Sequence, residues 1–436
     1  MTNCTSSPIR FKGVKGRKVE AIFSGQTITS DGGGMLLRAA DEAIGLLSRG
    51  GRCFTDSRRK ASCEHTVENF LRQRVYALAL GYEDLNDHNE LRHDPALQTA
   101  VGRDVGMASA STLCRFENSV DAKSLWALSS VLVDVFVESY KEAPDEIILD
   151  FDATDDEVHG RQEGRFFHGY YDHSCFLPLY VFCGDHLLAA YLRPSNIDAA
   201  KHSLGILGLL VKRLRKIWPQ TRIIVRADSG FCRWKLMRWC DSHEVGYILG
   251  LAKNSRLLEE AQPLLDEVHE CFLQRGVKHK LFAEACYAAK SWDTERRVII
   301  KAEHLEKGSN PRFVVTNLCD TPEQLYQRYC ARGEMENRIK EQQLCLFADR
   351  TSCSKWLPNQ LRVLLSALAY TLINIIRRKA LAGTDLARAR CDTIRLKLLK
   401  IGASVVRNTR RVILMLSASC PYKVLFRLAV FRLHAG

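Results

Sequence analysis

Residues 147–152, with the sequence IILDFD, form an apolar run that ends in two acidic residues. A short apolar run without helical spacing predicts a strand that is buried on both faces of a sheet. Because successive side chains of a strand point to opposite faces, we expect Asp150 and Asp152 to lie on the same face. A carboxylate buried there needs a cation or hydrogen-bond donors. The end of this strand is therefore a candidate functional site.

Downstream of this strand, signals for strands and helices alternate. Residues 176–183 and 187–192 flank the turn Gly184-Asp185 and predict a hairpin. The next segments predict a helix, a strand, a helix and a strand, at residues 199–217, 221–227, 233–242 and 246–252. A βαβαβ order implies a largely parallel sheet with helices on its faces, which is an α/β fold.

The chain divides into three predicted regions. Residues 1–145 carry helical spacing and predict an all-α N-terminal region. Residues 146–346 predict the α/β core. Short strand-like pieces interrupt this core at about residues 258–318, where we expect an inserted β-rich subdomain, and a long helix near its end should begin at about Pro322. Residues 347–436 predict a helical, basic C-terminal region.

Composition limits the class of protein. The 436 residues are 46% hydrophobic and 26% charged, which is typical of a globular protein and excludes global disorder. The apolar run at residues 363–376 is shorter than the ~18–20 residues that span a bilayer, so we expect a buried helix and no membrane partner. The polar, basic first residues do not resemble a signal peptide, which predicts a cytosolic protein.

The net charge of +13 is concentrated near the C-terminus. Residues 377–436 contain fourteen Lys and Arg but only two acidic residues. A basic block on an otherwise balanced chain indicates a polyanionic partner, with DNA or RNA as the leading candidate, and a solvated basic tail is the alternative. The sixteen cysteines include no C-x-x-C pair, so their spacing is not that of a zinc-binding domain.

Two short helices are predicted upstream of the core strand. Asp94, followed by proline, combines a capping residue with proline at the first helical position, and residues 109–118 predict a second helix. In a helix-turn-helix, this second helix would present Ser111, Thr112 and Arg115, which are residue types that contact phosphates and base edges. Short helix pairs are also common in proteins that do not bind DNA, so a purely structural pair is the alternative.

A second predicted strand also ends in an acidic residue. Residues 221–227 are followed by Asp228-Ser-Gly, a tight turn at the carboxyl end of the strand. Ligands of open α/β sheets bind at this edge, and two neighbouring carboxylates repel each other unless a cation lies between them. Hard oxygen ligands suit Mg²⁺ or Mn²⁺, so Asp152 and Asp228 predict a metal site. Pairing of either acid with Arg226, or capping of a helix, is the structural alternative.

A third acidic residue lies on the predicted long helix. Tyr329, Arg332, Glu336 and Lys340 are three or four residues apart and share one helical face, which is polar and aromatic. Such a stripe usually marks a solvated face with ion pairs between residues four apart. On its spacing alone, the stripe therefore favours a structural role.

In combination, these motifs resemble a known enzyme family. DAT at residues 152–154, RADSGF at 226–231 and Y-x-x-R-x-x-x-E at 329–336 are similar, in order and context, to motifs of the DDE transposases of bacterial insertion sequences. The resemblance is to the cut-and-paste group, which has a ribonuclease H-like core. It covers about residues 150–346, with the predicted β-rich subdomain where that group carries an insertion.

The resemblance implies a role for each motif. Asp152, Asp228 and Glu336 would be the catalytic residues and the metal ligands, and Tyr329 and Arg332 would hold DNA ends. Two Mg²⁺ ions, which Mn²⁺ can replace, would activate the attacking oxygen and stabilise the leaving oxygen. Water or a DNA 3′-OH attacks in this chemistry, so no side-chain nucleophile is required.

Other residues are less firmly assigned. The family pattern has lysine seven residues after the glutamate, where this sequence has Gln343, so the phosphate contact moves to Lys340 or is absent. Asp150 is the rival of Asp152, which is nearer to the strand end and matches the family motif. Trp292 would stack on an extruded base, as in hairpin-forming relatives, or would belong to the core.

The expected function is cut-and-paste DNA transposition. The protein would bind the terminal inverted repeats of its insertion sequence, cut them with Mg²⁺ and join the 3′-OH ends to target DNA. Pairing two double-stranded ends requires self-association in the DNA complex, and the protein would act in the cytoplasm at the nucleoid. The alternatives are a metal-dependent nuclease with the same core and a DNA-binding regulator without catalytic activity.

Overall fold

The computed structural model describes residues 8–14, 17–22, 27–56, 58–59, 63–275 and 277–435. The strands are β1 (Ile9–Val14), β2 (Arg17–Ala21), β3 (Ile28–Thr29), β4 (Glu146–Ala153), β5 (Asp156–Glu157), β6 (Phe166–His168), β7 (His173–Phe176), β8 (Leu179–Cys183), β9 (His186–Tyr191), β10 (Arg222–Ala227), β11 (Gly246–Leu251), β12 (His279–Tyr287), β13 (Arg296–Leu305), β14 (Gly308–Ser309), β15 (Arg312–Thr316), β16 (Ala403–Asn408) and β17 (Arg411–Leu416). The α-helices are α1 (Met35–Ile44), α2 (Leu46–Arg52), α3 (Val67–Leu80), α4 (His88–Leu91), α5 (Pro95–Val101), α6 (Ala110–Asn118), α7 (Ala122–Glu138), α8 (Ser203–Ile217), α9 (Trp234–Ser242), α10 (Ser255–Arg275), α11 (Pro322–Cys330), α12 (Gly333–Lys340), α13 (Trp356–Ile375), α14 (Cys391–Ile394) and α15 (Lys423–His434).

Two compact units can be distinguished by their internal contacts. The larger unit consists of residues 46–56 and 116–374, and the smaller one of residues 1–45, 57–115 and 375–436. The larger unit contains the predicted α/β core together with the helix α7 that precedes it. The smaller unit combines the two ends of the chain.

A mixed sheet forms the centre of the larger unit. Its order in the described residues is β12–β13–β15–β11–β10–β4–β8–β9, with β14 paired to β13. The central strands β4, β10 and β11 are parallel, whereas the flanking strands pair in antiparallel fashion. The predicted α/β class is therefore confirmed. The expectation of a largely parallel sheet is wrong, because β8 runs antiparallel to β4 on one side of the centre and β15 runs antiparallel to β11 on the other.

Period-2 alternation divides the side chains of the central strands between two apolar layers. Ile147, Leu149 and Phe151 of β4 point into a large core that helices α7, α8, α9 and α10 cover. Ile224 of β10 points to the opposite face, where Leu325 of α11 packs against the sheet. Acidic residues at even-numbered positions of β4 therefore point toward the side of α11.

The predicted β-rich subdomain is not a separate body. The expected strand pieces form at β12, β13 and β15, but β15 pairs with β11 and so extends the main sheet. The first part of the region, residues 255–275, is the helix α10, which was not predicted from the sequence. Leu257, Ala261, Leu265 and Val268 recur at helical spacing and are buried, and Pro263 lies inside this helix.

The all-α description of the N-terminal region is also wrong in part. Residues 9–14 and 17–21 form the antiparallel strands β1 and β2, in which every side chain is exposed. Ile9 and Phe11 alternate with Arg10 and Lys12 and pair with Ala21 and Val19, which is a strand signal although neither face of these strands is buried. The C-terminal region likewise contains the hairpin β16–β17, which pairs with β3.

The predicted helix pair of the smaller unit is present. The Asp94 carboxylate accepts a hydrogen bond from the Leu97 amide at 2.8 Å and caps α5, and α6 follows at residues 110–118. Part of the basic C-terminal segment is structural. Arg395 donates to the carbonyl oxygens of Leu78 and Ala79 at the end of α3. The net charge of this segment therefore overstates the number of basic side chains that are available to bind a polyanion.

One helix in the described residues is long and apolar enough to cross a membrane by length and composition. It covers residues 356–380, and 94% of its most apolar window is buried inside the protein. The apolar run at residues 363–376 is thus a buried helix, as predicted.

Candidate active site

The acidic residues of β4 and β10 are brought together by the parallel register of the two strands. Arg226 lies opposite Asp150 and Ala227, the last residue of β10, lies opposite Phe151, so Asp228 directly follows β10 beside the end of β4 that carries Asp152. Asp228 ends its strand at a short 3₁₀ turn, where its carboxylate accepts a hydrogen bond from the Gly230 amide at 2.9 Å. Both acids therefore lie at the carboxyl edge of the parallel strands, as predicted.

Arg332 connects the sheet to the third acidic residue. Its Nη1 lies 3.1 Å from the Asp152 Oδ2, and its Nη2 lies 2.7 Å from the Glu336 Oε1. The predicted single long helix is divided here into α11 and α12, and Arg332 is the N-terminal cap residue of α12. Glu336 follows one turn later, so the four-residue spacing creates the second ion pair. One guanidinium thus bridges the carboxylates from β4 and α12.

The charged groups around Asp152 shift the pKa of its carboxyl group. Burial, the carboxylate of Asp228 and, to a smaller extent, that of Glu336 raise the pKa of Asp152 to about 7, although Arg332 opposes the shift. Arg332 is itself mostly buried, with 16% of its side chain exposed. A carboxylate with a pKa near neutrality is half protonated at pH 7, so a further cation at this position would stabilise its charged form.

Tyr329 packs beside the two strands. Its ring lies against the apolar layer of Ile224 and Ile248, and a side chain at Gly250 would come within 2.5 Å of its hydroxyl group. The same side chain would approach the Ser229 amide to 2.9 Å. Gly250 therefore leaves the space in which the Tyr329 hydroxyl meets the turn after β10.

Asp150 has a different environment from Asp152. Its two carboxylate oxygens accept hydrogen bonds from the Nε and Nη2 of Arg226, at 2.5 and 2.7 Å, and both side chains are buried. Arg226 also donates to the carbonyl oxygen of Arg328 at the end of α11. This fully engaged pair fixes the position of α11 on the sheet and leaves Asp152 as the strand acid that adjoins Asp228.

A comparison with protein families identifies the chain. The family described as transposase DDE domain group 1 matches residues 11–435, which is nearly the whole sequence. The chain belongs to this family. It is therefore a DDE transposase, as the sequence motifs suggested.

Two further comparisons accompany the family match. A solved structure of a piggyBac transposase synaptic complex with hairpin DNA is similar with 12% sequence identity and a TM-score of 0.40; the match covers 86% of this chain and 83% of that chain. A search of curated proteins finds no match.

In this DDE transposase, the residue at the position of the family lysine has an internal partner. Gln343 donates to the carboxylate of Asp156 at 2.9 Å and to the carbonyl oxygen of Asp155 at 2.8 Å. Asp156 is completely buried, and burial raises its pKa to about 8. The side-chain amide of Gln343 thus donates to two internal acceptors, whereas Lys340 is exposed on α12. A phosphate contact from this helix remains a prediction for Lys340.

The other predicted DNA contacts have contrasting environments. Trp292 is half-buried against the large core and meets Tyr287 edge-on, with ring centroids 5.5 Å apart. Arg115 is exposed on α6 and donates to the Thr112 hydroxyl at 3.1 Å. The packing of Trp292 is that of a core-edge residue, and its role as a stacking residue stays a prediction, as does DNA contact by Arg115.

An aromatic residue near Asp152 was missed from the sequence. Burial and the carboxylates of Asp155 and Asp152 raise the pKa of Tyr171 to about 12, so this ring lies beside the acidic edge. Tyr170 packs edge-on against it and is 85% exposed. The run Phe166-Phe167-His168-Gly169-Tyr170-Tyr171 was a visible signal, but nothing in its sequence linked it to Asp152.

Proposed function

We propose that this transposase binds the terminal inverted repeats of an insertion sequence, cuts them in a metal-dependent reaction and joins the 3′-OH ends to target DNA. Asp152, Asp228 and Glu336 are the proposed catalytic residues. The observation that carries this assignment is the single guanidinium of Arg332, which bridges Asp152 to Glu336 while Asp152 adjoins Asp228 in the sheet register. Three acids from distant parts of the sequence thereby share one electrostatic site.

The proposed core is ribonuclease H-like, as the motif resemblance implies. Support comes from strands β4 and β10, which carry Asp152 and Asp228 on one face of a mixed sheet, and from α12, which brings Glu336 to that face. The remaining sheet and the helices α7 to α10 supply the rigid body behind the site.

The donor chemistry of the site fits a divalent cation. Asp152, Asp228 and Glu336 offer the carboxylate oxygens that Mg²⁺ and Mn²⁺ prefer. The position between Asp152 and Glu336 already accepts a positive charge, that of Arg332. Among the residues that the structure describes, no three His, Cys, Asp or Glu side chains lie close enough together to hold a metal ion, so binding requires Arg332 to release its acids. When bound, two such ions would supply activation of the attacking oxygen and stabilisation of the leaving oxygen.

The protein side chains then have separate tasks. The three carboxylates would hold the cations at the edge of the sheet. Arg332, released from Asp152 and Glu336, has a planar fork that matches two oxygens of a DNA phosphate. Tyr329, whose hydroxyl group packs against Gly250, keeps α11 aligned with the turn that carries Asp228. Because Arg332 is the N-terminal cap residue of α12, a movement of this residue is coupled to the position of Glu336.

The proposed partners follow from this reaction. Double-stranded DNA supplies both the element ends and the target, and two ends are paired by self-association of the protein in the DNA complex. Exposed basic residues of the C-terminal segment, such as Arg410, Arg411 and Lys423, support binding to a polyanion. Action in the cytoplasm at the nucleoid and formation of hairpin ends are further parts of the proposal.

The test is a product analysis. The purified protein is incubated with DNA that carries the flanking ends of its own gene, in Mg²⁺ or in EDTA, with a plasmid as target. Cutting at the repeat boundary and covalent joints to the plasmid, both absent in EDTA, are expected. Cutting without joints would favour a nuclease, and binding without cutting would favour a regulator in which Arg332 neutralises the acids permanently.

A further inference from the structure

A separate cavity with a strongly basic lining lies in the smaller unit. Its volume is about 480 Å³. It is lined by three arginines, one acid, two hydroxyl residues, one histidine and one cysteine: Arg58, Arg59, Arg92, Glu64, Ser109, Thr112, His65 and Cys63. The acidic residues of the candidate active site are not part of it, so its chemistry needs its own explanation.

The lining of this cavity has more arginines than acids. Glu64 is the one carboxylate among the lining residues, and it lies 3.5 Å from the guanidinium of Arg103. Within the described residues, Arg59 and Arg92 have no carboxylate partner, and the buried Nε of Arg92 has no hydrogen-bond acceptor. An arginine that lacks a partner in a concave site is suited to an anionic ligand.

The arginines around the cavity affect the pKa of the histidine in its lining, His65. Burial lowers the pKa of His65, and the guanidinium groups of Arg103, Arg92 and Arg58 lower it further, whereas Glu64 opposes them. The imidazole is therefore kept neutral and does not add to the charge. The arginines themselves carry the positive charge that a ligand would meet.

Hydroxyl groups at the start of α6 complete the lining. The Ser109 hydroxyl lies 3.0 Å from that of Ser111 and 3.1 Å from that of Thr112, and Thr112 also accepts a hydrogen bond from Arg115. Hydroxyl and guanidinium donors on one cavity are the combination that binds phosphate oxygens. The cavity thus adjoins the helix whose residues the sequence predicted to contact DNA.

We propose that this cavity binds a backbone phosphate of double-stranded DNA. The inference rests on the proposed function in taking DNA as the polyanion, but it concerns a site in the smaller unit that takes no part in the chemistry. The contact fixes the position of the duplex on the helix pair and carries no sequence information by itself. Arg59 and Arg92 are the principal ligands, because neither is engaged by an acid.

The experiment measures binding of duplex DNA in EDTA, where no cutting occurs, at several salt concentrations. Replacing one arginine that contacts a phosphate should lower the slope of log K against log salt concentration by about 1. The double variant Arg59→Gln/Arg92→Gln should therefore lose about 2 from this slope, equally for repeat-end and random duplexes. Glu64→Gln should tighten binding, since it removes the opposing carboxylate. Arg10→Gln, in which the lost guanidinium pairs with Glu20, is the matched control in the same unit.

The outcomes separate this proposal from its rivals. Unchanged slopes in a double variant with a wild-type melting temperature would overturn it, as would an equal loss in Arg10→Gln. Inorganic phosphate that raises the melting temperature of the wild type only, with unaltered DNA binding, would assign the cavity to a free anion and overturn the DNA assignment. Cleavage by the wild type is measured separately, so a failure of the proposed catalytic function does not affect this result.

Discussion

The guanidinium of Arg332 lies 3.1 Å from the Asp152 carboxylate, although the two residues are 180 positions apart in the sequence. The same group also holds Glu336. Arg332 thus occupies, in the free protein, the acids that the proposed reaction needs for metal ions. The proposed function therefore requires Arg332 to release these carboxylates, and its guanidinium would then be available for a DNA phosphate.

Replacement of Arg332 tests this exchange. Arg332→Met should bind Mn²⁺ about tenfold more tightly than the wild type, because a hydrogen bond between charged groups contributes about 1.5 kcal/mol that the metal no longer has to displace. Isothermal titration calorimetry without DNA measures this affinity. Arg233→Met, which removes the exposed pair with Asp198, is the matched control and should leave the affinity unchanged. Weaker Mn²⁺ binding in Arg332→Met would show that Arg332 supports the metal site and does not compete with the ion.

The raised pKa of Asp152 predicts a pH dependence of metal binding. Below about pH 7 this carboxyl group is mainly protonated, so a cation must displace a proton and its affinity falls by about tenfold for each pH unit. Above pH 7 the group is charged and the affinity should level off. Titrations with Mn²⁺ between pH 5.5 and 8.5 measure the profile. An affinity that stays constant down to pH 5.5 would mean that Asp152 has an ordinary carboxyl pKa or does not bind the metal.

Asp150 should matter for folding and not for the reaction. Asp150→Ala leaves the buried Arg226 without its partner, which should lower the free energy of unfolding by about 3–5 kcal/mol. Urea unfolding measures this loss, and the double variant Asp150→Ala/Arg226→Met should recover part of it. The folded fraction of Asp150→Ala should still cut DNA. A stable Asp150→Ala protein without cleavage activity would make Asp150, and not Asp152, the first catalytic carboxylate.

Trp292 distinguishes core packing from base stacking. Since its half-buried ring packs against Tyr287, Trp292→Ala should lower the free energy of unfolding by about 2 kcal/mol. Trp292→Phe, which keeps an aromatic ring, should lose less. Both should cut the first DNA strand at the wild-type rate per folded molecule. Full stability of Trp292→Ala combined with loss of hairpin ends would restore the stacking role predicted from the sequence.

The sequence contained enough information for the central strands and the positions of the acids. Apolar runs defined β4 and β10, and the carboxyl edge of parallel strands then placed Asp152 near Asp228 before any contact was known. The pair of Arg332 and Glu336 was also readable, because residues four apart on a helix are neighbours. These features depend on local spacing, which a single sequence displays directly.

Contacts between distant segments could not be read in the same way. The register that sets Arg226 opposite Asp150 depends on how two strands align. From the sequence, Asp152 and Asp228 were the possible partners of this arginine. The contact of Arg332 with Asp152 required the division of one predicted helix into α11 and α12. The helix α10 and the strands β1 and β2 were missed although they carry apolar periodicity. Pro263 interrupts the pattern of α10, and β1 and β2 are short and exposed on both faces.

The most direct test of the central claim compares two neighbouring glutamates on α12. Glu336→Gln and Glu334→Gln remove the same charge from the same helix, but only Glu336 is bridged to Asp152 through Arg332. Cleavage of repeat-end DNA in Mg²⁺ is measured for both, with DNA binding in EDTA as the control. We predict that Glu336→Gln binds DNA normally but loses cleavage by at least about a hundredfold, and that Glu334→Gln cuts like the wild type. Undiminished cutting by Glu336→Gln would contradict the proposed catalytic triad.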